Sequence, residues 1–257
     1  MKETAMSQTT LLYIEDLTVD FDGFKAIDKL SLYVDYGELR FLIGPNGAGK
    51  TTLLDVICGK IKPESGRVIF RENIDILRKK EHELVLLGIG RKFQTPSVFT
   101  DLSVFDNMDI SLRRKKNVRT SILSKVDKKE EEKIMNILYF CGLGKKRDLK
   151  AAFLSHGEKQ LLEIAMILVQ EPELILLDEP VAGLTKEERF QMGQLLKNIL
   201  DTKSCSILII EHDMNFVRQF AKRITVMHEG KILCEGNIDR VQNDEKVREV
   251  YLGRNEG

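Results

Sequence analysis

LRFLIGPNGAGKTT, residues 39–52, is the stretch that decides the architecture of this 257-residue chain. Residues 39–43 run on without polar alternation, the pattern of a strand buried on both faces, and such strands belong to parallel sheets flanked by helices. The next eight residues, Gly44, Pro45, Asn46, Gly47, Ala48, Gly49, Lys50 and Thr51, match G-x-x-x-x-G-K-[ST] in the strand–loop–helix context that the motif requires. Glycines let successive backbone N–H groups turn inward around an anion, where side chains would obstruct. The helix expected from Lys50 onward points its positive end at the same phosphates. Lys50 supplies a point charge to the β and γ groups, and the hydroxyl of Thr51, which Thr52 follows, is placed to ligate magnesium. The stretch predicts nucleoside triphosphate binding.

Two further buried-strand runs, LILL (174–177) and CSILII (205–210), are separated by helix-like segments, which argues an α/β core with a mostly parallel sheet. From Leu11 to Val34 the pattern alternates, as expected of half-buried antiparallel strands, and ITVMHEGKILCEG (224–236) predicts a hairpin around Glu229-Gly230. Between Leu102 and Phe153 the texture is charged and helix-periodic. Its run RRKKNVRTSILSKVDKKEEEK (113–133) reads as a solvated helical face with a loop, or else as a lipid or nucleic-acid patch. With no repeat or low-complexity linker, residues 9–253 are expected to form one domain, with a helical subdomain inserted at about 95–157 and a flexible N-terminus at 1–8.

Forty basic against forty acidic residues give no net charge, so the overall balance does not point to nucleic acid as a partner. Cys58, Cys141, Cys205 and Cys234 lie far apart with no C-x-x-C pair, which suits buried thiols in a reducing compartment. No signal peptide and no run of 18 apolar residues is present, so a cytoplasmic location is expected, with any membrane role borrowed from a partner.

LILL ends in Asp178-Glu179, two carboxylates at the C-terminal edge of a predicted parallel sheet, where such sheets bind ligands. Successive strand residues point to opposite sides, so Asp178 would reach a magnesium shell while Glu179 would polarise an attacking water. The pair could equally cap the next helix. His212 follows another buried strand and is expected to contact a γ-phosphate or its water. Gln94, after RKF, is a neutral amide that could bind magnesium or water. LSHGE (154–158) precedes a helix and looks built to hold a phosphate, yet it carries a histidine and a carboxylate.

Taken together these residues resemble the ATP-binding cassette family, the motor subunits of ABC transporters, over about Leu12 to Gly253. GPNGAGKT is similar to the Walker A loop, Gln94 to the Q-loop residue and LSHGE to the signature motif. LILLDEP is similar to Walker B with its glutamate, AGLT to the D-loop and His212 to the switch histidine. Phe21 aligns with the residue that stacks on adenine, with Phe24 as a rival. GRKFQTPSVFTDLSVFDNM and VREVYLG resemble the branched-chain amino acid and urea uptake branch, and LSHGEKQLLEIAMILVQEPELILLDEPVAGLTKEE is most similar to the D-type ATP-binding component of urea transporters.

The resemblance implies an ATPase using ATP and magnesium. Glu179, His212, Gln94 and Lys50 would be catalytic, and magnesium would be held by Thr51, Gln94 and Asp178. The signature residues Ser155, His156, Gly157 and Glu158 would close over the ATP of a second, head-to-tail subunit, the same chain or a homologous one. Where the family has glycine and usually glutamine, this chain has His156 and Glu158. A positive φ at 156 would strain a histidine, and Glu158 would repel the anion unless it turned to a basic neighbour or to ribose hydroxyls. Thr185 stands where the D-loop often has aspartate. Transmembrane permeases and, indirectly, a periplasmic solute-binding protein would complete an importer on the inner face of the membrane. Its cargo would be urea, with branched-chain amino acids as the alternative. Phe93, Val98, Phe99 and Phe105 are either core or a docking groove for a permease helix. The rival readings are a soluble ABC protein of translation or repair and a P-loop kinase.

Overall fold

A computed structural model describes residues 9–92, 98–112, 127–203 and 205–252. Among the described residues the chain builds two sheets. Strands β1 (Thr10–Phe21), β2 (Phe24–Asp35), β4 (Ser65–Phe70) and β5 (Ile74–Asp75) form an antiparallel sheet in the order β2-β1-β4-β5. Strands β3 (Leu39–Ile43), β6 (Ile89–Lys92), β7 (Leu174–Asp178), β8 (Ser206–Ile210), β9 (Arg223–His228) and β10 (Lys231–Gly236) form the second, in the order β10-β9-β3-β8-β7-β6. In it every neighbouring pair is parallel except the β9–β10 hairpin. That hairpin turns at Glu229 and Gly230, with φ of 48° and 74°, the left-handed pair that a tight two-residue hairpin turn demands. Asp22 and Gly23 make the same kind of turn between β1 and β2.

The lack of alternation in 39–43 has a direct cause. Leu42, with Leu176, Leu208 and Ile210, faces the antiparallel sheet and helix α1 (Lys50–Ile57) in one core. Phe41 and Ile43, with Ile175, Leu177, Ile207 and Ile209, face a second core built with the helices. Those helices are α3 (Val104–Ser111), α4 (Lys128–Phe140), α5 (His156–Leu168), α6 (Lys186–Thr202) and α7 (Met214–Phe220). α2 (Glu81–Leu87) leads into β6, and α8 (Ile238–Asn243) and α9 (Glu245–Leu252) follow β10.

Arg40, the one charge inside β3, is fully buried and satisfied: it donates to Glu38, Thr225, Glu235 and the Tyr33 carbonyl. A buried guanidinium is tolerable only when its donors are met. A second buried pair, Lys92 to Glu163 at 3.4 Å, ties the end of β6 to α5.

The helical stretch expected between 102 and 153 contains α3 and α4, while the basic run 113–126 lies outside the described residues. Residues 1–8 and 253 lie outside them too. The four cysteines are free and buried, and burial pushes the thiols of Cys58, Cys141 and Cys205 up to about 11, 12 and 11.

Candidate active site

The site stands on the C-terminal ends of β3, β7 and β8. After β3 the chain turns through Gly44 to Gly49 and enters α1, whose first N–H groups have no acceptor within the helix. Two glycines are there for close approach. A Cβ on Gly44, at φ 150°, would lie 2.1 Å from the Met227 carbonyl oxygen, and one on Gly49, at φ 94°, would lie 2.3 Å from that of Ala26. Lys50 is buried and its ammonium donates to the Gly44 and Pro45 carbonyls at 2.8 and 2.9 Å, so it lies across the loop.

Asp178 ends β7 opposite Ile210 of β8. It is 1% exposed, and among the described residues neither of its carboxylate oxygens is met by a well-aligned donor. Burial pushes its carboxyl up from the ordinary aspartate value, Arg91 at 3.9 Å and the Thr51 hydroxyl work the other way, and the Glu179 charge adds to the rise. A buried carboxylate with unmet oxygens beside a hydroxyl is a fitting donor set for a hard cation such as magnesium.

Glu179 breaks the strand. Its φ of 49° is left-handed, and its N–H donates to the Ile210 carbonyl at 3.0 Å. This kink carries its side chain, half-exposed, to within 3.3 Å of His212 Nε2. Burial holds the His212 imidazole below its ordinary value and the Lys50 charge reinforces this, against the pull of Glu179 and Asp178. The lowered value favours the neutral ring at pH 7, so the 3.3 Å approach to Glu179 is not a full ion pair.

Lys50, Thr51, Asp178, Glu179 and His212 thus form one cluster, linked by the contacts and fields just described. Gln94 and Phe93 lie outside the described residues. Phe21 and Phe24 face each other across the β1–β2 turn, 47% and 64% exposed, so either ring is available to an adenine and both readings stay open. Of the expected docking residues, Val98 and Phe105 pack against the core and Arg147 covers the Phe105 ring, whereas Phe99 is exposed.

The signature residues are held around different partners. Ser155 caps α5: its hydroxyl accepts from the Glu158 N–H at 3.1 Å, and Glu158 accepts from the Ser155 N–H at 3.0 Å. This reciprocal pair fixes the first turn and leaves the Ser155 hydroxyl proton able to donate elsewhere. Glu158 also pairs with Lys146. Burial by itself would raise its carboxyl, but Lys146 and the Ser155 N–H hold it below the usual range, so the basic neighbour that Glu158 requires beside a phosphate is present.

The strain considered for His156 does not arise. His156 is the first residue of α5 and has no positive φ, because the cap at Ser155 starts the helix there. Its ring turns to the segment after β7, with Nε2 3.1 Å from the Ala182 carbonyl oxygen and in close contact with Gly183. Gly157 packs against α6, where a Cβ would lie 2.5 Å from Glu188 Oε1. Thr185 caps α6, its hydroxyl accepting from the Glu188 N–H at 3.3 Å.

Sequence reasoning assigned nothing to Glu211. It is 3% exposed and accepts from the N–H groups of Val181, His212 and Asp213 at 3.2, 3.1 and 3.4 Å. Burial pushes its carboxyl up to about 7 against those donors. The only signal was a carboxylate directly after the buried run SILII.

A profile of the ABC transporter family matches residues 27–182, more than half of the chain. The chain belongs to the ABC transporter family. It is an ABC ATPase, and its fold is that of an ABC cassette. The cassette is 37% identical over 254 residues to the probable branched-chain amino acid transport ATP-binding protein LivG of Methanocaldococcus jannaschii, covering 95% of this chain and 97% of that protein. It superimposes with a TM-score of 0.84, at 35% identity, on the crystal structure of the ADP conformation of MJ1267, an ATP-binding cassette of an ABC transporter, covering 95% and 99% of the two chains. A dimeric post-hydrolysis state of the cassette MJ0796 bound to ADP and Pi matches at 25% identity and TM-score 0.74, covering 89% of this chain and 99% of that one. No helix among the described residues of the ABC cassette is long and apolar enough to cross a membrane.

Proposed function

We propose that this ABC ATPase drives a branched-chain amino acid importer. The similarity to LivG of M. jannaschii supports that cargo over urea, reversing the order in which the sequence alone ranked them. The observation that carries the hydrolytic reading is the 3.3 Å contact of His212 Nε2 with Glu179 Oε1 beside Lys50.

In this reading Lys50 releases its two loop carbonyls to meet the β- and γ-phosphates, and the α1 N-terminus and Gly44–Gly49 amides surround them. Thr51, Asp178 and Gln94 would hold magnesium, which when bound neutralises phosphate charge. Glu179, half-exposed, orients and deprotonates the attacking water, and the neutral His212 donates through Nε2 toward the γ-phosphate. Phe21 or Phe24 stacks on adenine. Ser155, His156, Gly157 and Glu158 belong to the facing surface of a second cassette, a copy of this chain or a homologue. The dimeric state of MJ0796 supports such pairing. Permeases, a periplasmic binding protein and a position against the inner face of the membrane complete the assembly.

The test is reconstitution with the cognate permeases and binding protein. Leucine, isoleucine or valine should stimulate ATP turnover and be taken up, urea should not, and Glu179→Gln should abolish both. Stimulation by urea alone would overturn the cargo assignment. Parental turnover in Glu179→Gln would overturn the catalytic one.

A further inference from the structure

Glu179 and His212 sit on different loops, the first on the segment that leaves β7 and the second on the segment that leaves β8. Their 3.3 Å contact therefore depends on what holds those segments together. The β7–β8 register fixes the segments at their roots, Asp178 opposite Ile210. Beyond the roots, one side chain bridges them. Glu211 accepts from Val181 N–H on the first loop and from His212 and Asp213 N–H on the second, and it does so fully inside the protein.

A second tie lies further out. Arg189 donates to the Leu184 carbonyl at the end of the first loop and pairs with Asp213 at the end of the second. Asp213 in turn caps α7, accepting from Asn215 and Phe216 N–H at 2.9 Å each. The two ties confine Glu179, which holds a left-handed backbone that only a constrained environment maintains.

We infer that Glu211 is a positioning residue for ATP hydrolysis, bracing the loop of Glu179 against the loop of His212 so that the two side chains keep their working distance. The inference rests on the proposed roles of Glu179 and His212. In this reading Glu211 acts through the loops of Glu179 and His212 rather than on the reacting atoms. Its carboxylate offers acceptors to three N–H groups, and glutamine in its place presents an NH2 to at least one of them, which opens the brace while preserving volume. Displacements of about 1 Å at a reacting centre cost on the order of a hundredfold in rate, whereas nucleotide affinity is set by the Gly44–Thr51 loop and is left alone.

The experiment compares Glu211→Gln, His212→Ala and the double variant of the full chain for ATP kcat, KM and nucleotide affinity. Glu211→Gln should lower kcat at least tenfold with KM and affinity within threefold of the parent. The double variant should lose less than the product of the two single losses, because the brace acts in part through His212. Glu211→Asp keeps the charge beside His212 and Asp213 but falls short of Val181, and its kcat should lie between those of the parent and Glu211→Gln. Should Glu211→Gln not fold, the aspartate variant decides by the same split. Parental kcat in the Glu211 variants while His212→Ala is impaired overturns the inference alone, as does a multiplicative loss in the double variant. Parental kcat in His212→Ala overturns the proposed role of His212, and the inference with it.

Discussion

Replacing Lys92 with methionine tests how β6 is joined to α5. The two side chains of the Lys92–Glu163 pair are 2% and 4% exposed and their charged atoms are 3.4 Å apart. At that separation, with an effective dielectric constant near 20, the attraction is about 5 kcal/mol. Methionine fills the volume of the lysine stem, so the loss is electrostatic: Glu163 stays buried while the cation facing it is gone. Breaking a pair in this way costs about 3–5 kcal/mol. Replacing both residues, as Lys92→Met/Glu163→Met, removes the buried carboxylate as well and should recover at least half of that loss. The assay is urea unfolding of the nucleotide-free chain at pH 8, followed by circular dichroism. A single variant within about 1 kcal/mol of the parent, or a double variant no more stable than the single one, would refute the reasoning.

Three other outcomes are expected. Glu211 titrates near 7 when folded against 4.5 ordinarily, so between those values the folded chain keeps a proton that the unfolded chain has lost. Its stabilising contribution is complete below about pH 4.5 and disappears as pH rises through 7, and the stability of the parent relative to Glu211→Gln should fall by about 3 kcal/mol between pH 4.5 and 8 in paired thermal or urea titrations. His156→Gly should leave ATP turnover within a few-fold of the parent, since it removes only the ring's contacts to the Ala182 carbonyl and the Gln160 amide and relieves no strain; a loss above a hundredfold would contradict this. Gly44→Ala, whose Cβ would sit 2.1 Å from the Met227 carbonyl oxygen, should lose nucleotide binding and at least about 2 kcal/mol of stability, checked by calorimetry and unfolding.

The fold was legible wherever a local pattern carried it. LRFLI, LILL and SILII each read as strands buried on both faces because each does face two cores, and Glu229-Gly230 announced a hairpin by its turn chemistry. Arg40 concealed nothing, since its charge is met by partners brought in from Glu38, Thr225 and Glu235. β6 escaped notice because its four residues, IGRK, include two cations whose burial only the tertiary structure explains. β9 was read only as half of a hairpin, and its parallel pairing with β3 depends on residues nearly two hundred positions away. In the site, GPNGAGKT and Asp178-Glu179 were visible as short-range motifs. Glu211 was not, because its meaning lies in an N–H thirty residues upstream. The glycine pattern left the backbone at His156 open, and the cap formed by Ser155 was the deciding feature.

The backing of the phosphate loop has one more consequence. Gly44 leans on a carbonyl of β9 and Gly49 on one of β2, so the curve of that loop is moulded by two sheets. An incoming triphosphate meets a socket cast in advance, and little ordering of this wall is left for it to accomplish. Exchange of one nucleotide for another leaves the socket standing, and whatever stroke the cassette delivers must originate in segments that rest on softer ground.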